Sequence, residues 1–414
     1  MKIVSGLAVI KCVSYTLGPE VFGQLGQLMT VVAITSMFAG GGISNGLIQR
    51  LAASSREEDR SAFISAAITI YLISSSLISI LFILWSKSNL SFKLLGQQDL
   101  STVILILALS QWLVGIYNIA QAIFSGYQRI NLFIIVNIVG PLLGSCLFIS
   151  LLSIFGFVGA AYGVVLLPAC GGLIALLLLS QVKQINWSTI KPNLRSKEIK
   201  TLLSYSLVML VAASSVPISQ ILVRDLLAES LGWTAVGYWF GVIKVSDVYM
   251  QFIGMLLANY AMPIFSSATG LDNLQAEIRK VLFPLAFMAA LALLVFYILR
   301  NYIILAFFSS DFTQMEELFL PQFIGDYFRI IFSIFVYVFL ARGNRVLPMM
   351  VELFQGIGLF VFSYALLTQF GTMAPVYAHV LVYAVMLLFI TVAYFSLRQS
   401  WFVKDSYERI DAVY

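Results

Sequence analysis

Charge is what this chain has least of. Only 10% of its 414 residues are Asp, Glu, Lys or Arg, against about 25% in an ordinary soluble domain. With a 60% hydrophobic composition and a mean hydropathy of +0.96, that scarcity excludes a water-soluble globule. It predicts an integral membrane protein that crosses many times. Histidine is nearly missing, His379 being the single one. One imidazole makes no metal site alone, so an incidental polar contact is its expected role. The three cysteines, Cys12, Cys146 and Cys170, lie in apolar stretches and form no CxxC pair. They are expected as small buried hydrophobes rather than disulfide partners or metal ligands. No phosphate loop (GxxxxGK followed by S or T) or HExxH occurs, which argues against a nucleotide-driven pump or an enzyme, and no cofactor is expected. The pI near 9.0 would suggest nucleic acid in a soluble protein. In a membrane chain it reflects where Lys and Arg are retained, and no nucleic-acid partner is expected.

What is present is an apolar window of about 17–25 residues, the length that crosses a hydrocarbon core. It recurs twelve times, at 2–17, 24–49, 61–86, 101–124, 131–154, 157–181, 202–223, 234–265, 281–299, 317–340, 346–367 and 374–397. Helices are predicted, because only helices and closed barrels satisfy their backbones in lipid, and the alternation of a barrel strand is absent. One polar run interrupts the series. Residues 183–200 carry Lys183, Lys191, Arg195, Lys197 and Lys200 against Glu198. They divide the chain into a six-helix lobe (1–182), a linker (183–200), a second six-helix lobe (201–397) and a tail (398–414). The linker is expected to stay long and polar enough for the lobes to move against each other.

Charge orients the spans. Loops after even-numbered spans hold 16 basic residues: Arg50, Arg56, Arg60, Arg129, the five of the linker, Arg279, Lys280, Arg342, Arg345, Arg398, Lys404 and Arg409. Loops after odd-numbered spans hold four, Lys87, Lys93, Arg224 and Arg300. The asymmetry places both termini and the linker in the cytoplasm. Six spans per lobe is an even number, so the lobes enter the membrane in the same sense. The expected fold is an all-α polytopic bundle of 12 transmembrane helices, in two lobes related by a pseudo-two-fold axis along the membrane normal. Leu17-Gly18 with Gly23 matches Leu231-Gly232 with Gly237 at an offset of 214, the first connection of each lobe. Less chain precedes the first of these sites than the second, so the first helix is expected to lack an N-terminal portion through a misassigned start.

Charges inside the spans carry the most information, since each costs about 2.5–3.5 kcal/mol at a helix centre on insertion scales. Lys11 sits in the first span and Glu352 in the eleventh. Lys244 and Asp247 lie three residues apart in the eighth, as do Asp326 and Arg329 in the tenth, so each pair shares a face. Two readings stay open: pairs that neutralise each other and fix packing, or a polar cavity. In the cavity reading Lys11, Lys244 and Arg329 take an anionic, phosphate-bearing ligand, with Arg329 suited to bidentate contact. Asp247, Asp326 and Glu352 then carry protons or sodium, or pair with those cations. Arg224, at the end of the seventh span, is an exit guide for an anion or an interfacial anchor. Trp239, Tyr238, Tyr249, Tyr260, Tyr327 and Tyr337 stand on the charged spans as candidates for sugar stacking, although most membrane aromatics face lipid. The glycine run at 40–46, GGGISNG, suits close helix approach or bending better than ligand cradling.

The opening run KIVSGLAVIKCVSYTLGPEVFG, the segment GGGISNG, and the runs VSDVYMQF and PQFIGDYFRI resemble Wzx-type flippases of the multidrug/oligosaccharidyl-lipid/polysaccharide exporter superfamily, over nearly the whole chain. The resemblance implies translocation of undecaprenyl-diphosphate-linked oligosaccharide, of O-antigen or enterobacterial common antigen type, to the periplasmic leaflet of a bacterial inner membrane by alternating access. It implies membrane lipid, a proton or sodium ion and the polysaccharide polymerase machinery as partners. It also implies polar roles for Lys2, Lys11, Arg224, Asp247, Asp326, Arg329 and Glu352. Lys244 departs from the family pattern and rests on its position alone. A multidrug/cation antiporter is the alternative transporter, and predicts a cavity dominated by acids. A polysaccharide polymerase or ligase is disfavoured by the short odd-numbered loops, and a scaffold protein by the charges inside the spans.

Overall fold

The computed structural model describes residues 2–86, 101–193, 197–344, 346–399 and 401, without the side chains of 2, 3, 86 and 205–209. Every regular element among the described residues is helical. Among the described residues nine apolar segments are long enough to cross a bilayer, and three of them, Val4–Ala53, Ile130–Leu179 and Val346–Leu397, run for 50, 50 and 52 residues. At ~1.5 Å per residue, a 50-residue helix reaches about 75 Å, more than twice a ~30 Å core. Each is turned back by a glycine at positive φ: Gly18 at 73°, Gly156 at 55° and Gly371 at 52°. No side chain crowds these three positions, so it is the backbone conformation that requires glycine there. Pro19 and Pro375 stand just inside the helices that follow, where a missing N–H costs nothing.

The nine segments thus make twelve crossings. They are α1 (2–17), α2 (19–39), α3 (Glu57–Ser86), α4 (Ser101–Gly126), α5 (130–155), α6 (157–179), α7 (Lys197–Leu231), α8 (Trp233–Ser267), α9 (Leu271–Ile298), α10 (Ser310–Ala341), α11 (Val346–Phe370) and α12 (Ala374–Leu397). The chain divides into two compact units, Met1–Pro217 and Ile218–Tyr414, with the boundary inside α7.

In the N-terminal unit, α2 stops at Ala39 rather than running on to residue 49. Gly41 and Gly42 adopt φ of 67° and 64°, and the short helix Ser44–Ala53 follows. A Cβ on Gly42 would lie 2.3 Å from Cγ of Leu210, and one on Gly40 would lie 2.8 Å from Cβ of Asn118. The turn frees the Ala39 carbonyl, which accepts from the hydroxyls of Ser74 (3.0 Å) and Ser75 (2.8 Å) on α3. A broken helix is thereby satisfied inside the bilayer. The described part of the linker is tied to this unit. Ile185 is buried in the core of this unit beside Val182 at the end of the first lobe, Ile190 packs on the same core, and the Asn193 amide donates to Oγ1 of Thr69 at 3.0 Å. Apolar residues placed among the lysines hold it down. Arg195, like Lys87, Lys93, Arg345, Lys404 and Arg409, lies outside the described residues.

In the C-terminal unit, α9 presents Phe283, Phe287, Leu291, Leu294 and Ile298 outward, each more than half exposed, at the three-to-four spacing of one helical face. Leu274, Ile278, Val281, Ala289 and Leu293 face inward. Such a stripe is a liability in water and an ordinary lipid-facing surface in a bilayer. The same logic corrects the reading of cysteine. All three are free thiols, but Cys146 is exposed on α5 while Cys12 and Cys170 are half-buried, because an apolar side chain in a spanning helix gains nothing by avoiding hydrocarbon.

Candidate functional site

The site is built on α8, α10, α11 and α12 of the C-terminal unit. Asp326 is fully buried and accepts hydrogen bonds from three helices. From α8, Ser246 Oγ donates at 2.6 Å and the Tyr249 hydroxyl donates to the same Oδ2. From its own helix, Gln322 Nε2 reaches both carboxylate oxygens at 3.3 Å. From α12, His379 Nε2 lies 3.0 Å from Oδ1. Gly325 makes this approach possible, since a Cβ there would fall 2.3 Å from Cδ2 of the His379 ring. A carboxylate so saturated with donors is satisfied without a cation.

Arg329 does not close an ion pair with Asp326, despite the i,i+3 spacing. Its guanidinium stands over the Tyr383 ring, 5.6 Å from the centroid, and Tyr383 in turn accepts a hydrogen bond from Gln355 of α11. Among the described residues Arg329 makes no ion pair and donates no hydrogen bond. It lines two cavities. One, of about 290 Å³, is bounded also by Asp247, Gln251, Gly254, Ser333 and Tyr337. The other, of about 160 Å³, shares Arg329, Ser333 and Tyr337 and adds Glu352, Gln355 and Tyr383. A half-buried guanidinium therefore faces space that carries one acid on either side. Where α8 borders the larger cavity it widens by one π-helical turn over Leu257–Ala261, and the Tyr337 hydroxyl reaches the Gly254 carbonyl at 3.5 Å. Wide turns of this kind recur at functional sites in helices.

Lys244 and Asp247 do pair, Nζ to Oδ2 at 2.8 Å, with both side chains partly accessible. Lys244 also stands over the Phe240 ring at 5.1 Å, and Arg224 covers that ring at 4.9 Å and Trp239 at 5.8 Å. Arg224 is 1% exposed, which corrects both readings of it. A guanidinium stacked on two aromatic faces is neither an interfacial anchor nor an accessible exit guide in this structure. Trp239 is buried and Tyr249 is committed to Asp326, so neither offers a face for sugar, whereas Tyr337 borders both cavities. Lys11 is exposed on α1 of the N-terminal unit. The Lys2 side chain lies outside the described residues. No group of three or more His, Cys, Asp or Glu suited to a metal occurs among the described residues.

The spacing of charges located Asp247, Asp326, Arg329 and Glu352 but missed the residues that satisfy them. His379 is a partner of Asp326, not an incidental polar contact. Ser246 and Tyr249 flank Asp247 at the i,i+3 spacing, and Gln322 precedes Asp326 by one turn. Those spacings were visible; which helix they would meet was not.

Residues 3–269 match the family described as polysaccharide biosynthesis protein. The lipid III flippase of Escherichia coli (strain K12) is 28% identical over 387 residues, 93% of this chain and 92% of that protein. Among solved structures, a multidrug resistance MATE family transporter of the MOP superfamily, in its inward-facing conformation, is similar at a TM-score of 0.77. The identity there is 16%, with 96% of each chain covered. The lipid II flippase MurJ in an inward closed conformation is similar at 0.74 and 15%, covering 97% of this chain and 87% of that one. Those likenesses show a shared fold, and the flippase relative agrees with the Wzx-type resemblance read from the residues. Matched over more than half its length, the chain belongs to the polysaccharide biosynthesis protein family, as a multi-pass membrane member.

Proposed function

We propose that this protein is a lipid-linked oligosaccharide flippase. It carries an undecaprenyl-diphosphate-linked unit, of O-antigen or enterobacterial common antigen type, from the cytoplasmic to the periplasmic leaflet of a bacterial inner membrane. The reading is supported by a flippase relative along 93% of the chain. The observation that carries the chemistry is Arg329, a guanidinium that lines both cavities and has no carboxylate in ion-pair contact among the described residues. A diphosphate offers the oxygens that such a planar fork engages in pairs, and Ser333 and Tyr337 line the same space. Lys11 is a further exposed cation in the N-terminal unit, and Lys244 pairs with Asp247. The polyprenyl tail stays in lipid, and both termini face the cytoplasm. Asp247, Asp326 and Glu352 supply ion coupling. A multidrug/cation antiporter is the alternative reading and would need a cavity dominated by acids; Arg329, which lines both cavities, is the observation that favours an anion.

The test is glycan export in a host deleted for its own flippase. Losing one or two charged hydrogen bonds to phosphate, about 1.5–3 kcal/mol each, predicts that Arg329→Ala lowers export at least about 10-fold, and up to about 20,000-fold if two are lost, at equal protein level. Arg329→Lys should fall between, because it keeps the charge and loses the fork. Normal export by Arg329→Ala would remove the diphosphate site from this position. Failure of the unaltered protein to support export of any lipid-linked glycan would remove the flippase reading.

A further inference from the structure

We infer that the smaller cavity beside Arg329 is a subsite for an uncharged, hydroxyl-bearing sugar ring, the one joined directly to the diphosphate, and that Glu352 and Gln355 determine which ring is accepted. The inference rests on the flippase reading and on Arg329 as the diphosphate contact.

The protons along the wall of this cavity are already spent, and that decides what can bind. Ser333 Oγ donates to the Arg329 carbonyl at 2.7 Å, so its oxygen is left to accept. The Tyr337 hydroxyl gives its proton to the Gly254 carbonyl at 3.5 Å and likewise keeps only lone pairs. Gln355 commits its amide nitrogen to the Tyr383 hydroxyl, and its amide oxygen has no partner among the described residues. Glu352, three residues before Gln355 and so on the same face of α11, makes no ion pair or hydrogen bond among the described residues. Once ionised it is an acceptor only. Four acceptors thus border one space with a single cation, Arg329, and the hydroxyl proton that Tyr383 keeps. An ionised phosphate, itself nothing but acceptors, cannot satisfy such a wall. A sugar ring can, because every hydroxyl brings a proton and a carboxylate takes one from each of two neighbouring hydroxyls. Glu352 accepts in its ionised form, so this role adds to the one given it in coupling.

Charge sorts the two ends of the ligand. In the larger cavity the acid is Asp247, and Lys244 neutralises it at 2.8 Å, which leaves Arg329 free to act on an anion. In the smaller one no ion pair offsets Glu352, and an anion there is repelled. The diphosphate therefore belongs on the larger side of Arg329 and the sugar on the smaller. One glycosidic oxygen separates the two groups, so they need adjoining spaces, and Arg329, Ser333 and Tyr337 border both. The smaller volume of about 160 Å³ equals about five waters at ~30 Å³ each, room for one ring rather than a chain. Phe332 and Val336 add an apolar wall on which the C–H face of a ring packs and from which water gains nothing. A site built to take hydroxyl protons rejects a ring that lacks them far more strongly than one of slightly wrong shape.

The test is binding by the full chain in nanodiscs of phosphatidylethanolamine and phosphatidylglycerol. The probes are undecaprenyl diphosphate alone and its conjugates with glucose, galactose, N-acetylglucosamine and glucuronic acid. A further probe is the dideoxy analogue of whichever neutral sugar binds best, lacking two neighbouring hydroxyls. The unaltered protein should bind that best sugar about 10- to 1,000-fold more tightly than its dideoxy analogue. Glu352→Gln and Gln355→Met should each narrow this ratio about tenfold, and Glu352→Gln should take the glucuronic acid conjugate more tightly than the parent does. Arg329→Ala should weaken every probe, the sugar-free diphosphate included, by one common factor and leave the ratio standing. Should Glu352→Gln not insert, Gln355→Met carries the same comparison. A ratio near one in the unaltered protein overturns the subsite, as does a ratio that both variants leave unchanged. Translocation in vesicles of the same lipids separates the two readings. If all conjugates move alike, the subsite falls and the flippase reading stands. If the conjugates bind with discrimination and none moves, the flippase reading falls and the sugar site stands.

Discussion

Replacing Gly325 by alanine puts a methyl group where the His379 ring lies. The added Cβ would stand 2.3 Å from Cδ2, 3.2 Å from Nε2 and 3.2 Å from the backbone nitrogen of Val380. Contacts below 3 Å do not persist, so the ring or one of the two helices moves. The ring has little freedom: it packs edge-on against Tyr383 at 4.7 Å between centroids and is hydrogen-bonded to Asp326. Overpacking a filled interior costs about 1–3 kcal/mol, and loss of the His379 contact leaves the buried carboxylate short of a donor at roughly 1–3 kcal/mol more. The variant should therefore melt well below the parent in detergent, by dye-accessible thiol or intrinsic fluorescence. Gly6→Ala serves as control, since nothing lies within 4 Å of that position and alanine in a helix gains up to about 1 kcal/mol over glycine. If Gly325→Ala melts with the parent and leaves the His379 ring shifts unchanged, the packing of α10 on α12 described here is wrong.

Other outcomes follow from the same contacts. Lys244→Met strands Asp247 without its 2.8 Å partner and should lower the amount of inserted protein; Lys244→Met with Asp247→Asn should recover most of it, a double-mutant cycle checking the coupling. Arg224→Ala empties a buried stack on Phe240 and Trp239 and should cost about 2–4 kcal/mol of stability. Export per inserted molecule should stay near normal; a pure export defect at full stability would restore its role as exit guide. Gly42→Ala combines a left-handed φ of 64° with a 2.3 Å approach to Leu210. It should be poorly folded, and Leu210→Ala should rescue it only in part, because the backbone strain of about 1 kcal/mol remains.

Part of the site was legible because cost in lipid singles residues out one at a time. Asp326 and Arg329 stood out by being charged in an apolar run, and the fold brings both into one cluster of the C-terminal unit. Gln322, Ser246 and Tyr249 did not stand out, because a neutral polar side chain in a spanning helix is cheap enough to be common. The i,i+3 rule was right about the shared face of Lys244 and Asp247 and misleading for Asp326 and Arg329. That carboxylate had four better-placed donors on three helices, and the guanidinium had an aromatic face and open space. Arg224 shows the same limit: its position along the chain suggested the membrane surface, and two aromatic rings on α8 supplied a buried place instead.

Membrane character, the number of crossings and the glycine turns that reverse them were determined by the sequence itself. They depend on apolar length and backbone conformation, which act within a few neighbouring residues. The rotation of each helix about its axis was decided only in three dimensions, and with it which charge is sealed, which faces a cavity and which acid the single histidine meets. That choice belongs to packing, where a Gly325 without a side chain lets α12 approach closely enough for His379 to reach Asp326.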